Sequence, residues 1–315
     1  MPSVRHKATR PLPLRDGIAV LVVLAVVFLA LPHFYANQSL LLAMMTFVAL
    51  AQGLNLLYGF TGYLPFGYVG FFGAGAYGMS ILVVHAHLPA VPAVIGGGIV
   101  AVIVAVILGP LLRLSGAYFS IANLATAQIL FLAVANPAAT PLTGGPYGLK
   151  LQDVFAPNAA YRTMLVIMLL ATAIAVFFRL SRFGLALRAM TEDRVSAEMA
   201  GINIVRARLI VWLISAGVAG LAGGAYAWSI SVYYPDAVFS NQISVFAIVF
   251  ALFGGVGTVI GPIVGAVLLY AMYNAIGITV PQYFELLYGF LIVLLVLFLP
   301  NGLISLLRKR GIGVI

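Results

Sequence analysis

The sequence is a succession of apolar runs, each near twenty residues long and parted from the next by a short polar break. At 1.5 Å of rise per residue, a helix of about 20 residues crosses a hydrocarbon layer of about 30 Å. Each run is therefore a candidate transmembrane helix, and the breaks place them near 17–35, 38–58, 65–84, 91–112, 117–136, 161–180, 207–230, 243–259, 261–280 and 283–306. Composition points the same way, with 63% of residues hydrophobic and 7% charged, against about 25% charged in a soluble domain. A water-exposed surface cannot be assembled from so few charges, so the lipid bilayer is the solvent for most of the chain. The expected fold class is all-α, a polytopic membrane helical bundle of about ten spans.

Charge sets the orientation. Threading the spans alternately puts the N-terminal tail, Arg113, the stretch Arg179 to Arg208 and Arg308-Lys309-Arg310 on one face, and only Lys150 and Arg162 on the other. Fourteen of the sixteen Lys and Arg residues thus share a side, which the positive-inside rule makes the cytoplasm, with both termini there. The net charge of +9 is explained by this asymmetry and by anionic lipid, and no nucleic acid is expected. Arg5, Lys7, Arg10 and Arg15 precede the first run as they would in a signal peptide. Leu31-Pro-His-Phe-Tyr35 stands in place of a small-residue cleavage site, so an uncleaved first helix is expected.

Several chemistries are excluded. There is no cysteine, hence no disulfide or thiolate site. His6 lies in the basic tail, His33 at a helix end, and His85 with His87 in one loop, an interfacial distribution rather than a metal site. No paired carboxylates and no nucleophile with a base can be assembled, so no catalytic residues, metal or cofactor are expected. No Asp, Lys or Arg lies deep in a span, and Glu285 sits near an outer helix end. Ion-coupled carriers embed such groups, so the driving energy enters from elsewhere.

Two segments echo one another. Leu57-Tyr-Gly-Phe-Thr-Gly62 and Leu252-Phe-Gly-Gly-Val-Gly257 each close one span and open the next, with Gly70 and Gly265 at the same offset, which suggests an internal repeat of the kind transport folds use. Between Asn55 and Tyr77, Gly67, Gly70, Gly73 and then Gly75 or Ala76 recur at helical spacing and leave a small-residue face for close packing. Gly59, Gly62 and Pro65 also break the helix, and broken backbone at membrane depth must be buried in protein or line a cavity. Packing and pathway lining both remain open. The same pair of readings, hydrogen bonding between helices or a polar strip along a path, applies to Asn55, Thr61, Tyr118, Asn123, Thr126 and Gln128, and to Gln52 and Asn274. The outer loop Thr140 to Lys150, with Gly144-Gly145-Pro146, either meets a delivering protein or connects helices.

The stretch Arg179 to Arg208 reads as a short amphipathic helix between spans. Thr191 is the expected N-cap, Glu192 and Asp193 bring negative charge to the first turn, and Gly201 suits the left-handed position past the end. Val195, Met199 and Ile202 then share a face. That face either seats in a groove of a cytoplasmic partner or lies on the membrane surface.

This stretch is similar to the cytoplasmic coupling loop of LivM-type permeases, the branched-chain amino acid family of ABC importers. The family loop runs approximately Gly-Arg-Ala-Leu-Arg-Ala-Ile-Arg-Glu-Asp-Glu and then Ala-Ala-Glu-Ala-Leu-Gly-Ile-Asn. This chain has Gly184-Leu-Ala-Leu-Arg-Ala-Met-Thr-Glu-Asp-Arg194 and then Ser196-Ala-Glu-Met-Ala-Gly-Ile-Asn203. Residues 59–77, Gly116 to Phe119, Leu142 to Gly145, Ala216 to Tyr226, Gly254 to Gly257 with Gly261-Pro262, and Pro300 to Leu303 resemble further landmarks in the family's order. The resemblance implies a permease domain over 17–307 between basic tails at 1–16 and 308–315, with a coupling loop at 183–208. It implies a homologous second permease subunit, two ATP-binding subunits and an extracytoplasmic solute-binding protein, in a bacterial cytoplasmic (inner) membrane. Glu192, Asp193, Val195, Ala197, Glu198, Met199 and Gly201 would meet the ATPase, and its closure would move 191–203 and tilt spans six and seven. ATP and Mg would sit on the partners, since this chain has no Gly-x-x-x-x-Gly-Lys-Ser/Thr loop. Pro65-Phe66-Gly67-Tyr68 stands where many relatives have Ser-Phe-Gly-His, and Thr191 and Arg194 replace charged residues of the family loop. Urea and short-amide permeases share the build, and a stand-alone ion-coupled carrier is the other class.

Overall fold

The computed structural model describes residues 14–279, 281–283, 286, 289–290, 293 and 302–304. Its α-helices are α1 (Leu14–Phe34), α2 (Gln38–Leu54), α3 (Val69–Val84), α4 (Ala90–Ile107), α5 (Ala117–Ala135), α6 (Thr140–Thr143), α7 (Pro157–Leu180), α8 (Arg182–Glu192), α9 (Arg194–Met199), α10 (Ile204–Trp228), α11 (Pro235–Phe239), α12 (Asn241–Gly254) and α13 (Ile260–Thr279). Among the described residues eight helical segments are long and apolar enough to cross a membrane, and Val69–Val84 is a shorter apolar helix. The chain is thus an all-α, multi-pass bundle. The expected span 283–306 and the basic tails fall mostly outside the described residues, and Glu285 lies outside them.

Local chemistry moves several boundaries. The span expected at 65–84 starts only at Val69, because α2 runs through a π-helical turn (Asn55–Gly59) and the helix then stops at Gly62 with φ +75°. The span expected at 91–112 ends at Ile107, where Pro110 belongs to a separate 3-10 turn (Gly109–Arg113). Pro157 opens α7 at a position where its missing N–H costs nothing.

Contact between glycines and facing carbonyls builds the core. A Cβ on Gly75 would collide with the Gly220 carbonyl oxygen, one on Gly97 with that of Gly75, and one on Gly223 with that of Phe72. The helices α3, α4 and α10 therefore touch backbone to backbone, the arrangement that holds helices together where lipid offers no hydrophobic drive. The expected single glycine face of α3 is divided: Gly67 and Gly70 meet Asn123 and Ala127 of α5, Gly73 meets Phe239 of α11, and Gly75 meets α10. Of the window spanning Gln38–Gly59, 83% is buried, against 22% for Ala117–Ala135 and 17% for Arg15–Phe34. So α2 is central, while α5 and α1 are peripheral.

At the end of the bundle away from the 181–203 segment, a two-stranded antiparallel pair joins Leu149 to Tyr233 and Lys150 to Val232. Thr143 Oγ1 donates to Val134 O at 2.7 Å, so the 140–150 loop is fastened to α5 and to the end of α10. Tyr147 projects from it, 78% exposed.

Candidate functional site

The stretch between α7 and α10 folds as two helices rather than one. Ser181 caps α8 by accepting from Gly184 N–H at 3.1 Å, and α8 turns back so tightly on α7 that a Cβ on Gly184 would collide with Phe178 O. Leu187 and Met190 bury against the bundle. Arg188 donates to the carbonyl of Arg179 at 3.2 Å, covering a group left open at the end of α7.

The cap of α9 is Asp193, not Thr191. Asp193 Oδ1 accepts from Val195 N–H at 3.0 Å, and its other oxygen accepts from the Ser196 hydroxyl. Thr191 instead donates back to Arg188 O at 2.8 Å, so Glu192 ends α8 and does not start the next helix. A carboxylate satisfies the orphan N–H groups and also suits the positive end of the helix, which favours Asp193 over the hydroxyl two residues earlier. The Ser196 hydroxyl, then the backbone N–H groups of Ser196 and Val195, hold the Asp193 carboxyl below its ordinary value. At the other end Gly201 N–H donates to Glu198 O and Ile202 N–H to Ala197 O, at 3.0 and 3.1 Å, with Gly201 at φ +84°. This is a Schellman closure, and only glycine adopts that φ without strain. Asn203 then caps α10 by accepting from Arg206 N–H at 3.0 Å.

The predicted contact residues divide here. Ala197 is buried in its own chain, whereas Val195 is 65% and Met199 85% exposed. Glu198 pairs with Arg194 at 3.2 Å on the surface. Ile202 is half-buried and packs toward the core, so it leaves the face it was expected to share with Val195 and Met199.

Two arginines that no local pattern singles out tie this segment to the bundle. Arg179 Nη1 donates to Gly257 O at 2.9 Å. Arg208 Nη1 donates to the Tyr63 hydroxyl at 3.0 Å and its guanidinium lies 4.6 Å from the Tyr63 ring centroid. Gly257 closes the second echoing segment and Tyr63 follows the first. The two segments themselves meet: Asn55 Nδ2 donates to Thr258 O at 2.8 Å, Gly257 N–H donates to Asn55 Oδ1 at 2.7 Å, and Gly59 packs on the Gly257 backbone. Gln52 Nε2 adds a bond to Val259 O at 2.7 Å. The helix break at 62–65 therefore lies at the arginine-bearing end of the bundle.

The six polar candidates along the spans form two groups. Asn55, Thr61 and Asn123 are buried and engaged with backbone; Asn123 Oδ1 accepts from Gly67 N–H at 2.7 Å and Thr61 donates to Leu57 O. Tyr118, Thr126 and Gln128 lie along α5, with Tyr118 76% exposed and the other two half-buried. Tyr68, which stands in the Pro65-Phe66-Gly67-Tyr68 departure from the resembling family's pattern, donates to Ser215 O at 2.9 Å and is buried. Asn274 lines a separate cavity of 370 Å³ at the opposite end of the bundle, together with Asn37, Gln38, Tyr161 and Tyr226.

The family model described as branched-chain amino acid transport system / permease component matches residues 37–296. The LivM permease protein of the high-affinity branched-chain amino acid transport system of Salmonella typhimurium is 29% identical, over 95% of this chain and 79% of the relative. LivM of Escherichia coli K12 is 28% identical over the same shares. The LivH permease protein of Salmonella typhimurium is 29% identical over 47% of this chain and 49% of the relative. No solved structure gives a significant match.

Proposed function

The chain belongs to the family of permease components of branched-chain amino acid transport systems, and from that premise we propose that it is the membrane-spanning subunit of an ATP-driven importer of a branched-chain or related amino acid. ATP is hydrolysed on separate subunits, and an extracytoplasmic binding protein delivers the solute. One observation carries the coupling role: α9 leaves Val195 and Met199 exposed at the tip of a segment whose two ends, Arg179 and Arg208, grip the two glycine junctions. A push on α9 then reaches both junctions through rigid helices and hydrogen bonds. Through that linkage a local contact is converted into tilting of α7 and α10.

LivM and LivH, both relatives of this chain, carry the name of one transport system, which supports pairing with a second, related permease. We place that subunit on the exposed face of α5, where Tyr118, Ile121, Ile129 and Leu132 project. Thr126 and Gln128 beside them are the polar groups available to a path between subunits. The assembly belongs to a bacterial inner membrane.

The test is ATP-dependent uptake of labelled leucine into vesicles holding this chain with the second permease and the ATP-binding subunits, with ATP inside and the binding protein outside. Gly201→Pro, which cannot adopt φ +84°, is expected to abolish uptake while the subunits stay associated. Uptake that survives the substitution, or that runs on an ion gradient without ATP, would contradict the proposal. Ligand protection of the cognate binding protein against unfolding identifies the solute, with urea and short amides in the same series.

A further inference from the structure

A cavity of 610 Å³ opens at the arginine-bearing end of the bundle, between the end of α4, the 3-10 turn after it, α9 and the first turns of α10. Its wall is apolar, with Val106, Leu112 and Leu209, and its polar rim is Arg113, Arg194 and Arg208 with Ser115. Opposing charge is small: Glu198 pairs with Arg194, but those side chains are 52% and 60% exposed, so water screens the pair. Among the described residues Arg113 has no hydrogen-bond or ion-pair partner. Arg208 uses Nη1 on Tyr63, yet its buried Nε–H has no acceptor. A buried donor without an acceptor is costly, and guanidinium groups lining one cavity suit phosphate oxygens.

The wall identifies the rest of the ligand. A free phosphate has no use for Val106 and Leu112, and the apolar surface continues outward along α4 through Ile103 and Ile107, 53% and 68% exposed. Ordinary acyl-chain surface and a cationic pocket thus adjoin where the positive-inside rule puts the cytoplasmic leaflet. We propose that this cavity binds the phosphate of an anionic phospholipid, with its acyl chain lying on α4. The lipid would brace α9 against α4 and α10, beside the Arg208–Tyr63 contact.

The test uses the full chain with its co-purifying subunits in nanodiscs of phosphatidylcholine doped with phosphatidylglycerol, the retained lipid being counted by native mass spectrometry. Phosphatidylglycerol should be retained in preference, and Arg113→Gln should cut that preference about fivefold, the weight of one arginine at an anionic surface. Arg113 is exposed on a turn, so the variant should fold, and Arg113→Lys should keep most of the preference. Excess inorganic phosphate should not displace the lipid. Equal retention of the two lipids, or a preference that Arg113→Gln leaves intact, overturns the proposal. Displacement by phosphate without lipid preference overturns the lipid source, and loss of ATP-binding subunits alone in Arg113→Gln reassigns the arginines to a protein partner and overturns it as well.

Discussion

The packed interior and the 181–203 segment are built from the same kinds of residue, glycines, asparagine or aspartate, and aliphatic side chains, yet they end differently. In the interior Asn55 spends both ends of its amide on Gly257 and Thr258, and Gly75, Gly97 and Gly223 close directly on carbonyls. These contacts close within one chain, although the buried Gln52 Oε1 and Tyr77 hydroxyl have no partner among the described residues. At α9 the caps are just as complete, Asp193 at one end and Gly201 at the other, but Val195 and Met199 are left facing outward. Satisfied polar groups with exposed apolar ones are what the proposed docking of a partner on α9 requires, whereas buried apolar groups fastened to backbone suit a hinge or a strut.

That contrast can be broken by substitution, and the largest effect is expected inside. Gly223→Val must push α10 away from the Phe72 carbonyl of α3, and overpacking against backbone should cost about 3 kcal/mol, the upper part of the usual range. Loss of monodisperse protein and a sharply lowered unfolding temperature in detergent would be the readout; a variant as stable as the parent would show the interior to be less closed than argued. Asn55→Leu should follow, at about 1–3 kcal/mol, because it strands the half-buried Gly257 N–H and the buried Thr258 carbonyl. Its unfolding temperature should fall, and uptake with it. Val195→Ser with Met199→Ser removes no internal contact and should move stability by less than about 0.5 kcal/mol, while uptake and ATPase association collapse. If stability falls instead, the tip is part of the core.

The smallest effect concerns protons. The Asp193 carboxyl is held below its ordinary value by the Ser196 hydroxyl and by backbone N–H groups, so its cap is at full strength above about pH 4, the ordinary carboxylate range. The cap weakens only as pH falls through the lowered value. Hydrogen exchange of the α9 amides should therefore show constant protection across neutral pH, once corrected for intrinsic rates, and faster opening only in strong acid.

Much of this was legible in the amino-acid order. Apolar run length locates the spans, and Gly201 declares itself because a helix ending before Ile-Asn needs a left-handed residue there. The order does not separate Thr191 from Asp193 as a cap, since both side chains can accept from the helix N-terminus and the choice depends on where α8 stops. The existence of α8 rests on Leu187 and Met190 finding the bundle, a tertiary fact. Asn55 and Asn123 looked alike as polar groups within apolar spans, because their partners lie far along the chain or on another helix: Asn55 reaches Gly257 and Thr258, and Asn123 reaches Gly67. Arg179 and Arg208 looked like topology signals at span ends. Their grip on Gly257 and Tyr63 depends on the two echoing segments meeting in space, which no local pattern encodes.

The chain contains no cysteine, so a single Met199→Cys can report directly on whether the exposed tip of α9 is a docking surface. Maleimide labelling of that cysteine in membranes should be rapid in the chain alone and strongly suppressed when its ATP-binding subunits are present, with Tyr147→Cys on the outer loop labelled equally in both. Equal labelling of Met199→Cys with and without those subunits would contradict the account.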